Sequence, residues 1–227
     1  MRVGVVTFPG SNCDADAQRA IDGVDGLRAV RLWHGDADLA GVDAVVLPGG
    51  FSWGDYLRPG AIARVAPIVQ ELRRFADAGG PVLGICNGFQ ILCEAGLLPG
   101  ALQPNRDGRF RCMDVWVKAE GRACAWLPPL SRPLRLPIAH AHGAWTAPEP
   151  ELQACEDRGQ LVLRYVTATG ERADAANPNG SARDVAGVCN AAGNVLGLMP
   201  HPERAVHADL GSTDGLHLLT ALLGRSA

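Results

Sequence analysis

Cys86 stands in the run Pro81-Val82-Leu83-Gly84-Ile85-Cys86-Asn87-Gly88-Phe89-Gln90-Ile91-Leu92. Residues 82–85 read as a short buried strand, and Phe89, Ile91 and Leu92 open a helix, so the cysteine falls where strand becomes helix. Gly-x-Cys-x-Gly is the thiol form of a nucleophile elbow. Small residues at Gly84 and Gly88 let strand and helix pass closely, and the side chain between them projects from a tight turn. Unpaired N–H groups and the positive dipole end at the first helical turn favour thiolate over thiol. A buried structural cysteine is the commoner fate of a thiol in an apolar setting, but the flanking glycines favour the reactive reading.

A thiol nucleophile needs a general base, itself held by a third group. Of the histidines at 34, 140, 142, 201, 207 and 217, His201 is the best placed, because the strand-like run 195–199 ends in Pro200-His201-Pro202-Glu203. The prolines fix the backbone. Glu203, two residues on, puts a carboxylate near one ring nitrogen, which sets the tautomer and leaves the other nitrogen for the sulfur. Taken alone, this stretch would be an ordinary surface loop, with Glu203 and Arg204 a solvated ion pair. His217 on an amphipathic stretch and His34 after a strand read as structural. Acyl transfer also needs donors for an oxyanion, and the backbone N–H groups of Asn87 and of Gly50, in Pro48-Gly49-Gly50, are the natural pair. Glycine there lets the main chain approach a substrate without a side chain in the way.

These groups need a scaffold. Residues 3–7, 27–33, 42–47 and 82–85 are apolar runs stopped by glycine, proline or polar residues, with helical stretches between them. Ser11 or Asn12 is expected to cap a helix through Ile21. Ile62, Val65, Val69, Leu72 and Phe75 follow helical spacing, which Pro67 either kinks or restarts. Alternating strands and helices predict a parallel sheet wrapped by helices, with ligands beyond the carboxyl ends of the strands. The loops after Thr7, at residues 48–56 and at Cys86 then share one rim. Beyond Leu98-Pro99-Gly100 the runs 113–118, 132–138, 161–167, 185–190 and 195–199 are short strands with little helix between them, which predicts antiparallel sheet. Asn177-Pro178-Asn179-Gly180-Ser181 reads as a turn cluster, residues 191–194 as a hairpin loop and residues 214–223 as a last helix. The expected fold is therefore α/β: one domain over residues 1–227, with a mostly parallel central sheet flanked by helices and extra antiparallel strands in the second half.

Composition narrows the function class. The chain has 227 residues and a formal net charge of -3, and no basic run exceeds Arg73-Arg74, which argues against nucleic acid or an anionic membrane as partner. Seven cysteines, an odd number with no C-x-x-C pair, fit neither a disulfide framework nor a zinc site and read as reduced thiols. The N-terminus has no apolar signal core and no stretch approaches transmembrane length. A soluble cytoplasmic protein is expected.

Three separated motifs, Gly84-Ile85-Cys86-Asn87-Gly88-Phe89-Gln90, Pro48-Gly49-Gly50-Phe51 and Pro200-His201-Pro202-Glu203, together resemble the class I glutamine amidotransferases. Adding Phe8-Pro9-Gly10-Ser11-Asn12-Cys13-Asp14, the continuation through Ser52-Trp53-Gly54-Asp55-Tyr56-Leu57-Arg58, and Asn177-Pro178-Asn179-Gly180-Ser181 narrows the resemblance. It becomes that of the glutaminase subunits of phosphoribosylformylglycinamidine synthase, over nearly the whole chain. The resemblance implies that Cys86 attacks the side-chain amide of L-glutamine, that His201 protonates the departing ammonia and then activates water, and that Glu203 holds His201. It implies glutamine recognition by Phe51, Ser52 and Gln90, with a loop at His142 and Gly143 lining the pocket or a subunit contact. It also implies a large synthetase subunit (PurL) that uses ATP and magnesium, a small bridging subunit (PurS), and no metal or organic cofactor in this chain. The synthetase converts formylglycinamide ribonucleotide to formylglycinamidine ribonucleotide in purine biosynthesis. Departures from the family pattern are His142 where a glutamate is usual, Trp53 for tyrosine and Pro59 for cysteine. Two other readings compete: an amidotransferase serving another acceptor, and a non-catalytic thiol sensor of the same fold. A paired base and orienter argue against the sensor.

Overall fold

A computed structural model describes residues 1–122, 124–128 and 130–221. The β-branched runs of the first half form β1 (Arg2–Thr7), β2 (Arg28–Trp33), β3 (Ala44–Leu47) and β4 (Val82–Ile85), with helices α1 (Asp14–Asp22), α2 (Pro67–Asp77) and α3 (Asn87–Glu94) between or after them. The second half adds β5 (Ala101–Gln103), β6 (Arg111–Ala119), β7 (Leu134–His140), β8 (Ala144–Thr146), α4 (Glu149–Asp157), β9 (Leu163–Val166), β10 (Val185–Cys189), β11 (Val195–Leu198) and α5 (Leu216–Thr220). Nine strands make one sheet in the order β2-β1-β3-β4-β11-β10-β9-β6-β7, and β5 pairs separately with β8.

The change of texture seen in the sequence is a change of pairing within one sheet. From β2 to β11 neighbouring strands run parallel, and from β11 to β7 they run antiparallel. Fully buried strands such as β3, β4, β10 and β11 are apolar without alternation because both faces are covered. On β7, the strand at the end of this order, Leu134, Leu136, Ile138 and His140 point inward while the intervening residues are half-buried. Such an alternating pattern is that of a sheet packed on one face.

Three local expectations change, and one open alternative, at Pro67, is decided. Cys13, not Ser11 or Asn12, is the N-cap of α1, and Ser11 Oγ instead accepts a hydrogen bond from Phe8 N–H at 3.0 Å. Pro67 takes the first turn of α2, where its missing N–H costs nothing, so it restarts the helix after a short turn at residues 63–65 rather than kinking it. Helix α4 stands between β8 and β9 where little helix was expected. Its start carries Pro150 and the acidic Glu149 and Glu151, all good first-turn residues. The last helix is confined to Leu216–Thr220 among the described residues, and the expected end at 222–223 lies outside them.

Candidate active site

Parallel neighbours put the two chemical groups side by side. β4 and β11 are paired in register, Ile85 against Leu198, and Cys86 N–H donates to the Leu198 carbonyl at 2.8 Å. Cys86 follows the last residue of one strand and His201 comes three residues after the end of the other. Both therefore emerge on the carboxyl rim, where open α/β sheets bind ligands.

Cys86 has φ 51° and ψ -104°, outside the regions open to an ordinary L-residue, and it directly precedes α3. Such strain persists only where the surroundings over-determine it. Here the surroundings are glycines. A Cβ on Gly88 would lie 2.0 Å from the Leu47 carbonyl oxygen, and one on Gly84 would lie 2.5 Å from Leu92 Cδ1 and 2.8 Å from the Gly88 carbonyl carbon. The helix thus presses its first turn onto β3 and β4, and the thiol is held at the turn, nearly buried, with the Ala139 carbonyl 3.9 Å from Sγ.

His201 is fixed from several sides. Its N–H donates to the Pro137 carbonyl at 2.8 Å, which ties the loop to β7, and its ring Nδ1 is 2.6 Å from Glu203 Oε1. Both side chains are buried, and the ring Nε2 makes no hydrogen bond with any of the described residues. Burial disfavours the imidazolium, yet the Glu203 carboxylate first, then the Cys86 sulfur, with the Cys13 sulfur close by, outweigh that penalty and hold the pKa well above the usual histidine range. A sulfur nucleophile beside a charged imidazole is the arrangement that delivers a proton to a leaving nitrogen.

The glycine loop spans the space between these groups. Gly49 packs against the His201 ring, where a Cβ would meet Cε1 at 2.7 Å. Gly50, at φ 152°, bridges to Ser11, where a Cβ would lie 2.7 Å from the Ser11 Cα. The bonds flanking that bridge are made by its neighbours, Phe51 N–H to Gly10 and Cys13 N–H to Gly49. Ser52 is buried, and its N–H donates to Asn87 Oδ1 at 3.2 Å, so the loop is moored directly to the elbow. Phe51 remains 46 % exposed on the rim.

A second loop, between β7 and β8, completes the site. Gln90 Nε2 donates to the His142 carbonyl at 2.7 Å, while Gln90 Oε1 accepts from Asn87 Nδ2 at 2.9 Å. The Gln90 amide is thus a strut between the elbow and this loop. The backbone of His142, not its imidazole, makes that contact. Gly143 lies over the His140 ring, with N–H donating to Asn105 Oδ1 at 3.1 Å and C=O accepting from Asn179 Nδ2 at 2.8 Å.

Of the residues singled out in the sequence, Cys86, His201, Glu203, Gly50, Asn87, Ser52, Gln90, His142 and Gly143 are gathered around one rim, with Phe51 at its outer edge. Sequence reasoning passed over Cys13, Asn105, His140, Tyr165 and Asn179. Cys13 and Asn179 stood in quoted motifs and His140 among the histidines, but Asn105 and Tyr165 gave no signal, because each acts across a long chain separation.

The comparisons agree with this geometry. Residues 1–213 match the model of the CobB/CobQ-like glutamine amidotransferase domain. A Rubrobacter xylanophilus protein named phosphoribosylformylglycinamidine synthase subunit PurQ is 55% identical over 98% of this chain and 98% of its own. A PurQ from a Synechococcus species is 51% identical over 99% of this chain and 100% of its own. A chain in the structure of PurLQS from Thermotoga maritima superposes with a TM-score of 0.86 at 40% identity, covering 98% of this chain and 97% of that one. A glutamine amidotransferase from Thermotoga maritima shares the fold, with a TM-score of 0.56 at 18% identity over 97% of this chain and 89% of that one. With an elbow cysteine, a histidine–glutamate pair and full-length likeness in agreement, the chain belongs to the CobB/CobQ-like glutamine amidotransferases and, within them, to the PurQ family.

Proposed function

We propose that this chain is the glutaminase subunit of phosphoribosylformylglycinamidine synthase, with residues 1–227 as one glutaminase domain. The observation that carries the chemistry is the strained Cys86 beside a His201 that Glu203 orients, at the ends of adjacent parallel strands. The acceptor rests on likeness over the full length to proteins named PurQ.

In this reading the Cys86 thiolate attacks the side-chain carbonyl carbon of L-glutamine. The N–H groups of Gly50 and Asn87 receive the negative charge on oxygen. The His201 imidazolium gives its proton to the amide nitrogen as the carbon–nitrogen bond breaks, releasing ammonia and leaving a glutamyl thioester on Cys86. Neutral His201 then takes a proton from water as it attacks the thioester. Glutamate departs, and thiolate and imidazolium are restored. Glu203 stabilises the charged ring throughout. Phe51, Ser52, His142 and Gly143 line the glutamine pocket, and Gln90 acts through the strut it forms between Asn87 and the His142 loop.

Ammonia passes to a large ATP- and magnesium-using synthetase subunit, PurL, with a small PurS subunit completing the complex in the cytoplasm. This chain itself carries no cofactor or metal in this reading. Tyr56 and Leu57, 75% and 89% exposed in the loop beside the site, are side chains that such a partner would cover. The isolated chain is accordingly expected to be slow and the complex fast, because the partner orders this loop. Glutamate release is measured for the chain alone and then with both subunits, formylglycinamide ribonucleotide and ATP. Strong stimulation supports the assignment. Hydrolysis that never responds to the partners retains the glutaminase and removes the acceptor. In the complex, Cys86→Ser is expected to lower hydrolysis at least about a thousandfold, and wild-type rates from that variant would remove Cys86 as nucleophile.

A further inference from the structure

The triad uses one cysteine, but a second lies against it. Cys13 is buried at the head of α1, and its N–H donates to the Gly49 carbonyl at 3.3 Å. Its sulfur is 3.1 Å from Asn12 Oδ1 and 3.2 Å from Arg204 Nη2. A ring nitrogen of His201, a carboxylate oxygen of Glu203 and Cys13 Sγ all lie within 4.8 Å of one another. The Gly49 backbone marks the same place: a Cβ there would lie 2.7 Å from His201 Cε1, 3.4 Å from Nδ1 and 3.1 Å from Cys13 Sγ. Sulfur and glycine therefore wall one edge of the imidazole.

We propose that Cys13 is a positioning residue for the His201–Glu203 pair, holding the Nδ1–Cε1 edge of the imidazole so that Nε2 is left for Cys86. This rests on the glutaminase reading above and adds to it. The S–H donates to Asn12 Oδ1, and the sulfur lone pairs face the Arg204 guanidinium. Arg204 adjoins Glu203 in the chain, and its Nε contacts Asp16 Oδ2 at 3.2 Å, so Cys13 and Arg204 clamp the first turn of α1 to the loop that carries the base. Three ligand-type atoms this close invite a metal reading. The guanidinium cation beside the sulfur and the closed Nδ1–Oε1 hydrogen bond instead make the cluster a hydrogen-bonded one.

The arrangement explains why a thiol, not a larger apolar group, suits this position. It must fill the wedge beside Gly49, donate a hydrogen bond to Asn12 and accept one from Arg204. Alanine fills less and does neither. Serine does both with a smaller, shorter group.

The test is glutamate release by the assembled synthase complex, against glutamine concentration and pH, for wild type, Cys13→Ala, Cys13→Ser and Arg204→Gln. Cys13→Ala is expected to lower kcat about ten- to a hundredfold, the scale of a misplaced catalytic group. Its KM for glutamine should stay within about threefold, because Cys13 touches the base and not the pocket. Its alkaline limb should move to lower pH, because a less well-held imidazolium gives up its proton sooner, and Cys13→Ser should recover part of kcat. Arg204→Gln, at a half-buried side chain, is expected to shift the same limb in the same direction by less, which keeps the inference testable should Cys13→Ala fail to fold. A wild-type pH profile in both Cys13→Ala and Arg204→Gln overturns it, as does a loss in Cys13→Ala that serine does not relieve. If wild-type complex hydrolyses glutamine while these variants behave as wild type, only the inference falls. No hydrolysis by wild-type complex overturns both.

Discussion

The two halves of the sheet hold their shares of the site by different physics. In the parallel half the elbow is held by steric exclusion: glycines at 84 and 88 bring α3 onto β3 and β4, and Cys86 is forced to a positive φ. In the antiparallel half the loop at 141–143 is held by buried polar side chains. Asn105 Nδ2 donates to the His140 carbonyl at 2.9 Å, Asn105 Oδ1 contacts His140 Nδ1 at 3.0 Å, and Asn179 reaches both the Gly143 carbonyl and, at 3.2 Å, the Tyr165 hydroxyl. A nucleophile needs one fixed atom, which close packing supplies. The opposite wall must offer polar groups to a substrate, and a polar network positions them.

The comparison breaks most sharply at Gly88. A methyl there would sit 2.0 Å from a backbone oxygen, which has no side-chain freedom with which to yield. Gly88→Ala is expected to destabilise the chain by about 3 kcal/mol or more, at the upper end for overpacked cores. Chemical denaturation measures this, and a change below about 1 kcal/mol would mean that the elbow is not sterically determined.

On the polar side the corresponding probe is pH. Burial, with the neighbouring His201 charge adding to it, lowers the His140 pKa from 6.5 to about 4. The folded protein thus keeps His140 neutral while the unfolded chain takes up a proton below about 6.5. Its contribution is complete above pH 6.5 and lost as pH falls towards 4, amounting to about 3 kcal/mol at most by linkage. His140→Asn should flatten that part of the stability curve between pH 6.5 and 4. An unchanged slope would place the proton uptake elsewhere.

Asn179→Ala tests the network directly. It removes hydrogen bonds to the Gly143 carbonyl and Tyr165 hydroxyl and leaves Ser181 N–H, 3.0 Å from Asn179 Oδ1, without its acceptor. A loss of about 2 kcal/mol is expected for stranded buried groups. Because Gly143 lines the proposed pocket, KM for glutamine should rise more than kcat falls, the opposite split from Cys13→Ala. Equal changes in both would tie Asn179 to the reacting centre instead.

The same contrast explains what was legible in the sequence. The elbow, the glycine loop and Pro200-His201-Pro202-Glu203 were readable because each constraint is local: a glycine that must lack a side chain, or a carboxylate two residues from a histidine. The parallel strands were readable from their doubly buried apolar runs. What stayed hidden was assembled over distance. Cys13 meets Arg204 across 191 residues, and Asn105 meets His140 across 35. Nothing in the neighbourhood of Cys13 tells that its sulfur lies beside His201. Gln90 could be tied to the site by its motif, but that its amide bridges Asn87 and the His142 carbonyl required the fold. Helix α4 was missed for a different reason: its stripe is weak, with Leu152 and Cys155 the buried residues, so its start signals carried most of its identity.

The smallest effect is expected from a contact that looks strong. Arg58 grips Glu94 with two hydrogen bonds, at 2.6 and 2.7 Å, and joins the far end of the loop beside the site to α3. The near end of that loop is moored by Trp53 N–H to the Pro9 carbonyl at 2.7 Å and by Ser52 N–H to Asn87. The Arg58 side chain is 60% exposed, so water and salt screen the pair. Its loss in Arg58→Ala should cost less than about 1 kcal/mol, and less still at high ionic strength. Asn179, with neutral hydrogen bonds in a dry site, should outweigh this ion pair on the surface. If Arg58→Ala instead costs more than Asn179→Ala in denaturation at high salt, the loop depends on that charge pair, and the division between a sterically held half and a polar-held half fails at its clearest point.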